Sequence, residues 1–445
     1  MKIHKIDIEN FKLFSAQEFT FHPEFNLLVG VNGSGKTSLL RAIAVALGGW
    51  AHAYFKNDDN LRPILDEEIR EIQIDRRFDK SKSTTISATG EARVIDRNGD
   101  GKNATVNWIR QRRQGSDATK ISSMVQYGSY PQKYPISFDE QGSDILNYIE
   151  SGRLFNLPVI AFYECDRLWL AKQKLDIEAS ASKRYSRFDP YKDCFHTGAD
   201  HHAIGEWLLK QELAFLQKKQ QSAVLLAIKN AAIAALEDCV DLTFDFDESR
   251  VMVEFENDVI VPFEHLSDGQ RIMLGLFCDI ARRAAILNPH IKEDINASVS
   301  GIVLIDELDL HLHPKWQRLV IENLRRTFPK IQFICTTHSA FLIQSLRDSE
   351  ELIMLGGEPL ADYANKGIEE ITKNMGVSRP DVSMRYEDQK EAAKSYLQLL
   401  DQAALSPKDK QEEYKRLLAE KIAPFAGNPA YQAFLELKYA TKMGE

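Results

Sequence analysis

Gly30-Val31-Asn32-Gly33-Ser34-Gly35-Lys36-Thr37 matches the spacing G-x-x-x-x-G-K-[ST]. Upstream, Asn26 to Gly30 is a short run that predicts a strand. Downstream, Ser38 to Leu47 places Leu39, Leu40, Ile43, Ala44 and Leu47 at helical spacing, and Gly48-Gly49 is expected to end that helix as a C-terminal cap. Strand, glycine-rich turn and helix in this order make a phosphate loop. Glycines let the backbone wrap closely enough for successive N–H groups to point at phosphate oxygens, and the helix N-terminus adds the positive end of its dipole. Asn32, Gly33, Ser34, Gly35, Lys36, Thr37 and Ser38 are therefore candidate ATP-binding residues. Lys36 is expected to reach the β and γ phosphates, in a catalytic as well as a binding role, and the Thr37 hydroxyl to ligate Mg²⁺.

A second motif lies far downstream. Gly301-Ile302-Val303-Leu304-Ile305-Asp306-Glu307 is an apolar run ending in two carboxylates, which puts Asp306 at the C-terminal end of a buried strand, the edge at which open α/β sheets bind ligands. Asp306 is expected to hold Mg²⁺, and Glu307 to polarise the attacking water. Two further stretches accompany this pair. His265-Leu266-Ser267-Asp268-Gly269-Gln270-Arg271 precedes the apolar helix Ile272 to Leu287, with Ser267 as its N-cap, and the strand Gln332 to Thr336 runs into Thr337-His338-Ser339.

In this order and spacing the four elements resemble the ATP-binding-cassette (ABC) ATPases. The family pattern implies that Ser267, Gly269 and Gln270 form a signature loop that contacts nucleotide, and that His338 contacts the γ-phosphate. Asp268 stands where the family has glycine and brings an acid toward a phosphate site. A signature loop on a helix N-terminus serves a γ-phosphate held by another subunit, so the resemblance implies a homodimer, or a higher homo-oligomer, closed by ATP. Asp309 falls where the family's dimer-contact loop lies. The opening Ile6-Asp7-Ile8-Glu9-Asn10-Phe11-Lys12-Leu13-Phe14 resembles the RecF and SMC group and adds Lys12 to the nucleotide-binding candidates. Asp306 to Gln317 looks most like the stand-alone ATPases of bacterial anti-phage defence, the Septu PtuA group and its retron-associated relatives. Pro158 to Trp169 is similar to that group too, except that Glu164-Cys165-Asp166 stands where Gly-Thr-Gly is the group's pattern. No nuclease centre is visible, so the resemblance implies a separate HNH nuclease partner, PtuB-like, with DNA engaged through the complex.

The implied fold class is α/β: an ABC-type P-loop ATPase head with a mixed sheet and an antiparallel subdomain, a helical insertion and a C-terminal helical module. The expected organisation is 1–165 for the first part of the head with a β-hairpin insertion, 166–240 for the helical insertion, 241–350 for the second part of the head, and 351–445 for a helical, partner-binding tail. Length allows it: 445 residues correspond to two or three domains at roughly 100 to 200 residues each. Thr84 to Ile95 and Ala104 to Ile109 flank a turn-rich stretch and predict an antiparallel hairpin, Asp241 to Asp247 with Val251 to Phe255 predict another, and Ser406-Pro407 and Asn428-Pro429 predict several short helices in the tail.

With 44% hydrophobic and 27% charged residues the chain is an ordinary globular one. Its apolar runs fall short of the ~20 residues that a membrane span needs, and the N-terminus lacks a signal-peptide core, so a cytoplasmic location without membrane contact is expected. Five widely spaced cysteines without C-x-x-C argue against a disulfide framework, and a net charge of −9 excludes a whole-molecule pull onto nucleic acid. Asp96 to Gly101 matches half of a calcium loop, but Asn107 at the twelfth position favours a hairpin turn. His201-His202, and His311 with His313, complete no ligand set. Trp108 to Arg113 reads equally as a DNA contact or a solvated hairpin. Three functions stay open: an ATPase that controls a partner nuclease, a RecF-like repair ATPase that clamps DNA, and a scaffold that binds ATP with little turnover.

Overall fold

The alternation of apolar and polar residues near the N-terminus becomes β1 (Lys2–Phe11), with Ile3, Ile6, Ile8 and Phe11 fully buried. The computed structural model describes residues 1–52, 62–96, 98–116, 118–126, 138–165, 186–195, 201–218, 222–292, 294–356, 367–374, 384–404, 416–417 and 429–443. They fall into two compact units, Met1–Ile368 and Glu369–Glu445.

Two five-stranded sheets build the first unit. One is antiparallel, in the order β2 (Phe14–Thr20), β1, β6 (Ser83–Ile95), β7 (Gly101–Arg113), β8 (Lys120–Gln126). The other is parallel, in the order β15 (Leu352–Met354), β3 (Phe25–Val29), β14 (Ile331–Thr336), β13 (Gly301–Ile305), β9 (Val159–Tyr163). Every residue of β3, β9, β13 and β14 is buried, which is why β9 and β13 read as continuous apolar runs, while β3 and β14 admit the buried polar residues Asn26, Gln332 and Thr336. Register aligns Leu28 with Thr336, Cys335 with Ile305, and Ile305 with Tyr163. The residues that follow β3, β14, β13 and β9 therefore meet along one sheet edge.

Several expectations are corrected. The phosphate-loop helix does not stop at Gly48-Gly49 but runs from Lys36 to His52. Gly49 permits close approach: a Cβ on it would lie 2.6 Å from Ile121 Cδ1, so the antiparallel sheet packs directly on the helix. Trp108, in β7, donates from Nε1 to the Ala46 carbonyl at 2.9 Å in the same interface. Neither reading of Trp108 to Arg113 therefore survives for its inward half. Trp108, Arg110 and Arg112 alternate into the core, where Arg110 and Arg112 donate to the carbonyls of Arg62 and Ile64. Burial lowers the Arg110 guanidinium to about 10.

Asp96 turns the expected hairpin by accepting from the amides of Asn98 and Asp100, and Lys102 pairs with it. The second hairpin gains a strand that its sequence did not announce: β10 (Cys239–Asp245) and β11 (Arg250–Phe255) are joined by β12 (Val259–Pro262). A two-stranded hairpin of β4 (Glu71–Ile74) and β5 (Arg77–Lys80) was likewise unannounced. The head's sheet also runs past the expected boundary at 350, because Leu352–Met354, too short for a periodic signal, pairs with β3. In the tail, helices Met384–Ala404 and Pro429–Met443 are long rather than short and share a core of Tyr396, Leu400 and Leu435. Ser406-Pro407 and Asn428 lie outside the described residues. Cys194, Cys239, Cys278 and Cys335 are buried; Cys165 is exposed.

Candidate active site

The phosphate loop joins β3 to the helix Lys36–His52, with Gly33 and Gly35 at φ 83° and 101°, a conformation only glycine adopts freely. The turn between β1 and β2 covers it: a Cβ on Gly35 would lie 2.8 Å from Leu13 Cδ2 and 2.9 Å from Phe14 Cζ. This places Lys12 beside the loop, where burial and then the neighbouring Arg41 lower its ammonium pKa. Lys36 is buried and donates from Nζ to the carbonyls of Gly30 at 2.8 Å and Val31 at 3.2 Å. Desolvation pulls its pKa down, against the opposing charges of Asp306, Glu307 and Asp309. Ser34 Oγ is buried without a hydrogen-bond partner, an orphan that a phosphate oxygen could satisfy.

Acidic groups close the site from β13. Thr37 Oγ1 donates to Asp306 Oδ2 at 2.9 Å, so the two expected metal ligands are adjacent. The donor chemistry fits Mg²⁺, which binds through one or two oxygen ligands plus substrate phosphates and retained water. Glu307 follows at φ 50°, left-handed for a non-glycine residue and strained by about 1 to 3 kcal/mol. From β14, Thr337 Oγ1 and the His338 amide donate to Asp309 Oδ1 at 2.5 and 3.3 Å. The exposed His338 therefore stands at the same sheet edge as Lys36, Thr37, Asp306 and Glu307.

The signature residues are elsewhere and bonded mainly to one another. Ser267 caps the helix Asp268–Leu287: its Oγ accepts from the Gln270 amide, and the Gln270 side chain accepts from the Ser267 amide at 3.1 Å. Asp268, the acid in place of glycine, is paired with Arg271 one turn on. Gly269 is buried, and a Cβ there would lie 2.7 Å from the His311 carbonyl and 2.9 Å from the Trp316 ring. Ser267, Asp268, Gly269, Gln270, His311 and Trp316 line a cavity of about 760 Å³. His313, declined as a metal ligand, caps the helix Pro314–Thr327.

Sequence reasoning missed two groups. Arg41 pairs with Glu164, the residue just past β9, at 3.1 Å. Deeper, the signature helix carries Asp279, fully buried, bound by Arg282 and Arg283 and accepting from the Tyr163 hydroxyl at 2.8 Å. Burial pushes the Asp279 carboxyl up, but the two arginines outweigh it and hold it below the usual carboxylate range. Charges three and four residues apart inside an otherwise apolar helix were the available signal.

A family model described as "AAA domain" matches residues 5–249. The chain belongs to this AAA domain family. A second AAA domain model, whose description names the AbiEii toxin and a type IV TA system, matches residues 165–344. Among relatives, the Retron Vc95 probable ATPase of Vibrio cholerae serotype O1 biovar El Tor is 24% identical over 79% of this chain and 73% of its own length. The Retron Ec83 probable ATPase of Escherichia coli is 45% identical over 22% of this chain and 18% of its own. Septu protein PtuA of Bacillus mycoides (strain KBAB4) is 39% identical over 22% and 13%. The last two matches span less than a fifth of those relatives. The expected kinship with the retron and Septu ATPases is borne out, and the chain is an ATPase of the AAA domain family. Among the described residues, no helix is long and apolar enough to cross a membrane.

Proposed function

We propose that this ATPase dimerises on ATP, hydrolyses it at sites shared between two subunits, and controls a separate HNH-type nuclease in anti-phage defence. One observation carries the reading. Within a single chain the phosphate loop, Asp306, Glu307 and His338 gather at one sheet edge, whereas the loop at Ser267 leaves Ser267 and Asp268 exposed, with a cavity beside it. A capped helix N-terminus open to solvent is suited to an anion brought by another molecule.

Each side chain then has a task. The loop amides and Lys36 hold the phosphates, and Lys12 adds positive charge from the β1–β2 turn. Thr37 and Asp306 would hold Mg²⁺, which when bound neutralises charge on the phosphate oxygens. Glu307 accepts the proton of the attacking water as the γ-phosphorus bond to the bridging oxygen breaks and ADP departs. His338 steadies the γ-phosphate, while Ser267, Gly269 and Gln270 meet the nucleotide of the second subunit. The second unit, Glu369–Glu445, is the part offered to the nuclease partner, in a cytoplasmic setting.

The test is a size measurement with and without ATP on the wild type and on Glu307→Gln. The variant should accumulate as an ATP-dependent dimer without turnover; a chain that stays monomeric with saturating ATP, and hydrolyses it all the same, would refute the shared site. Co-expression with an adjacent HNH protein tests the partner, whose DNA cutting should depend on Lys36.

A further inference from the structure

Thr336 ends β14, the strand between the phosphate-loop strand and the acidic strand, and is completely buried. Its hydroxyl oxygen lies 2.6 Å from Asp306 Oδ1 and 2.7 Å from the Glu307 amide nitrogen. An amide only donates, so the hydroxyl accepts from Glu307 and its single proton goes to Asp306. The Thr336 carbonyl accepts from the following amide, Leu308, at 2.9 Å. One threonine thus grips three successive residues of the acidic turn.

The grip is directional. Thr336 engages Oδ1 of Asp306, and Oδ2 is the oxygen nearer the Thr37 hydroxyl, at 2.9 Å against 3.3 Å for Oδ1. Glu307 holds a left-handed backbone, φ 50°, which a residue with a side chain keeps only where its surroundings fix it. Its amide is fixed by the same hydroxyl.

We propose that Thr336 is a positioning residue for ATP hydrolysis. Its hydroxyl sets which oxygen of Asp306 faces Mg²⁺ and holds the backbone of Glu307 so that the carboxylate meets the attacking water. The proposal rests on the roles given above to Asp306 and Glu307, and Thr336 acts through them without touching substrate. Threonine differs from valine by a hydroxyl in place of a methyl and from serine by a methyl, so the two replacements separate hydrogen bonding from packing.

The experiment uses the full chain: steady-state phosphate release over ATP and Mg²⁺, with Mn²⁺ binding in the presence of a non-hydrolysable ATP analogue followed by electron paramagnetic resonance. For Thr336→Val, kcat should fall about 10- to 100-fold and Mn²⁺ affinity about 10-fold, in the range seen when groups orienting a metal ligand are lost. KM for ATP should change by less than about threefold, since the phosphate loop is untouched. Thr336→Ser should restore both kcat and Mn²⁺ affinity. A valine variant like wild type in both, or a serine variant as impaired as valine, overturns the proposal. If the valine chain does not fold, Thr336→Ala against Thr336→Ser carries the same contrast. Glu307→Gln runs alongside: if it turns over like wild type, the reading of the site itself fails, whereas a dead Glu307→Gln with an active Thr336→Val removes Thr336 alone.

Discussion

The phosphate pocket and the signature loop present opposite kinds of order. Around Asp306 the bonds come from elements that are distant in sequence: Thr37 from the first turn of the helix Lys36–His52, Thr336 from β14, the Tyr163 carbonyl from β9. Around Ser267 the side-chain bonds run within one helical turn, from Ser267 to Gln270 and from Arg271 to Asp268. The first region is assembled by the fold itself. The second is a local motif whose exposed face makes no comparable long-range side-chain bonds among the described residues, and this difference is what a site completed by a second chain requires.

The comparison breaks most readily at Glu307. Glu307→Gln should lower phosphate release about 10²- to 10⁴-fold, the range for losing a group that handles the proton, while ATP binding persists; filter binding beside phosphate release checks it. Retained turnover would mean that the assembled pocket is not where the chemistry occurs.

Next in size is the buried charge that ties the signature helix to β9. Asp279→Ala removes the buried carboxylate of Arg282 and leaves Arg283 with only the part-exposed carboxylate of Asp193, and should destabilise the head by about 3 to 5 kcal/mol. The pH dependence has a defined sign. Because the folded carboxyl sits below its unfolded value of about 3.9, its contribution is present above that pH and is lost as pH falls through the folded value. Urea midpoints measured from pH 6 downward should therefore fall in wild type below about pH 4, and fall less in Asp279→Asn.

Legibility in the sequence follows the same division. The placement of the phosphate loop between strand and helix, of Asp306-Glu307 at a strand end, of Ser267 as a helix cap and of His338 just past β14 was readable because each belongs to a short stretch of neighbouring residues. The parallel sheet was readable because buried strands leave mostly apolar runs, unbroken in β9 and β13. Thr336 was not, since a threonine at a strand end has no signal until its partners arrive from 29 and 30 residues away. Tyr163, Asp279 and Arg41–Glu164 are tertiary facts of the same kind. Gly48-Gly49 misled for the opposite reason: a local rule for helix ends was overridden by packing against Ile121.

Gly269→Ala sharpens the comparison on the signature side. Its Cβ would meet the His311 carbonyl and the Trp316 ring, and forcing them apart should cost about 1 to 3 kcal/mol. The loop after Glu307 forms part of that contact, so phosphate release should fall together with the thermal midpoint.

The smallest expected effect on the isolated chain is the most discriminating. Ser267→Ala removes one cap and should lower stability by about 1 kcal/mol, with the helix kept by its buried face. If Ser267 is only a cap, ATP-dependent association should barely change, because an effect of that size leaves nearly all of a folded population intact. If Ser267 also meets the second subunit's nucleotide, association should weaken by more than the stability loss accounts for, by about tenfold for each ~1.4 kcal/mol of contact removed. Sedimentation of Ser267→Ala combined with Glu307→Gln, in saturating ATP, separates the two: a dimer as tight as that of Glu307→Gln alone would make the loop a structural terminus and nothing more.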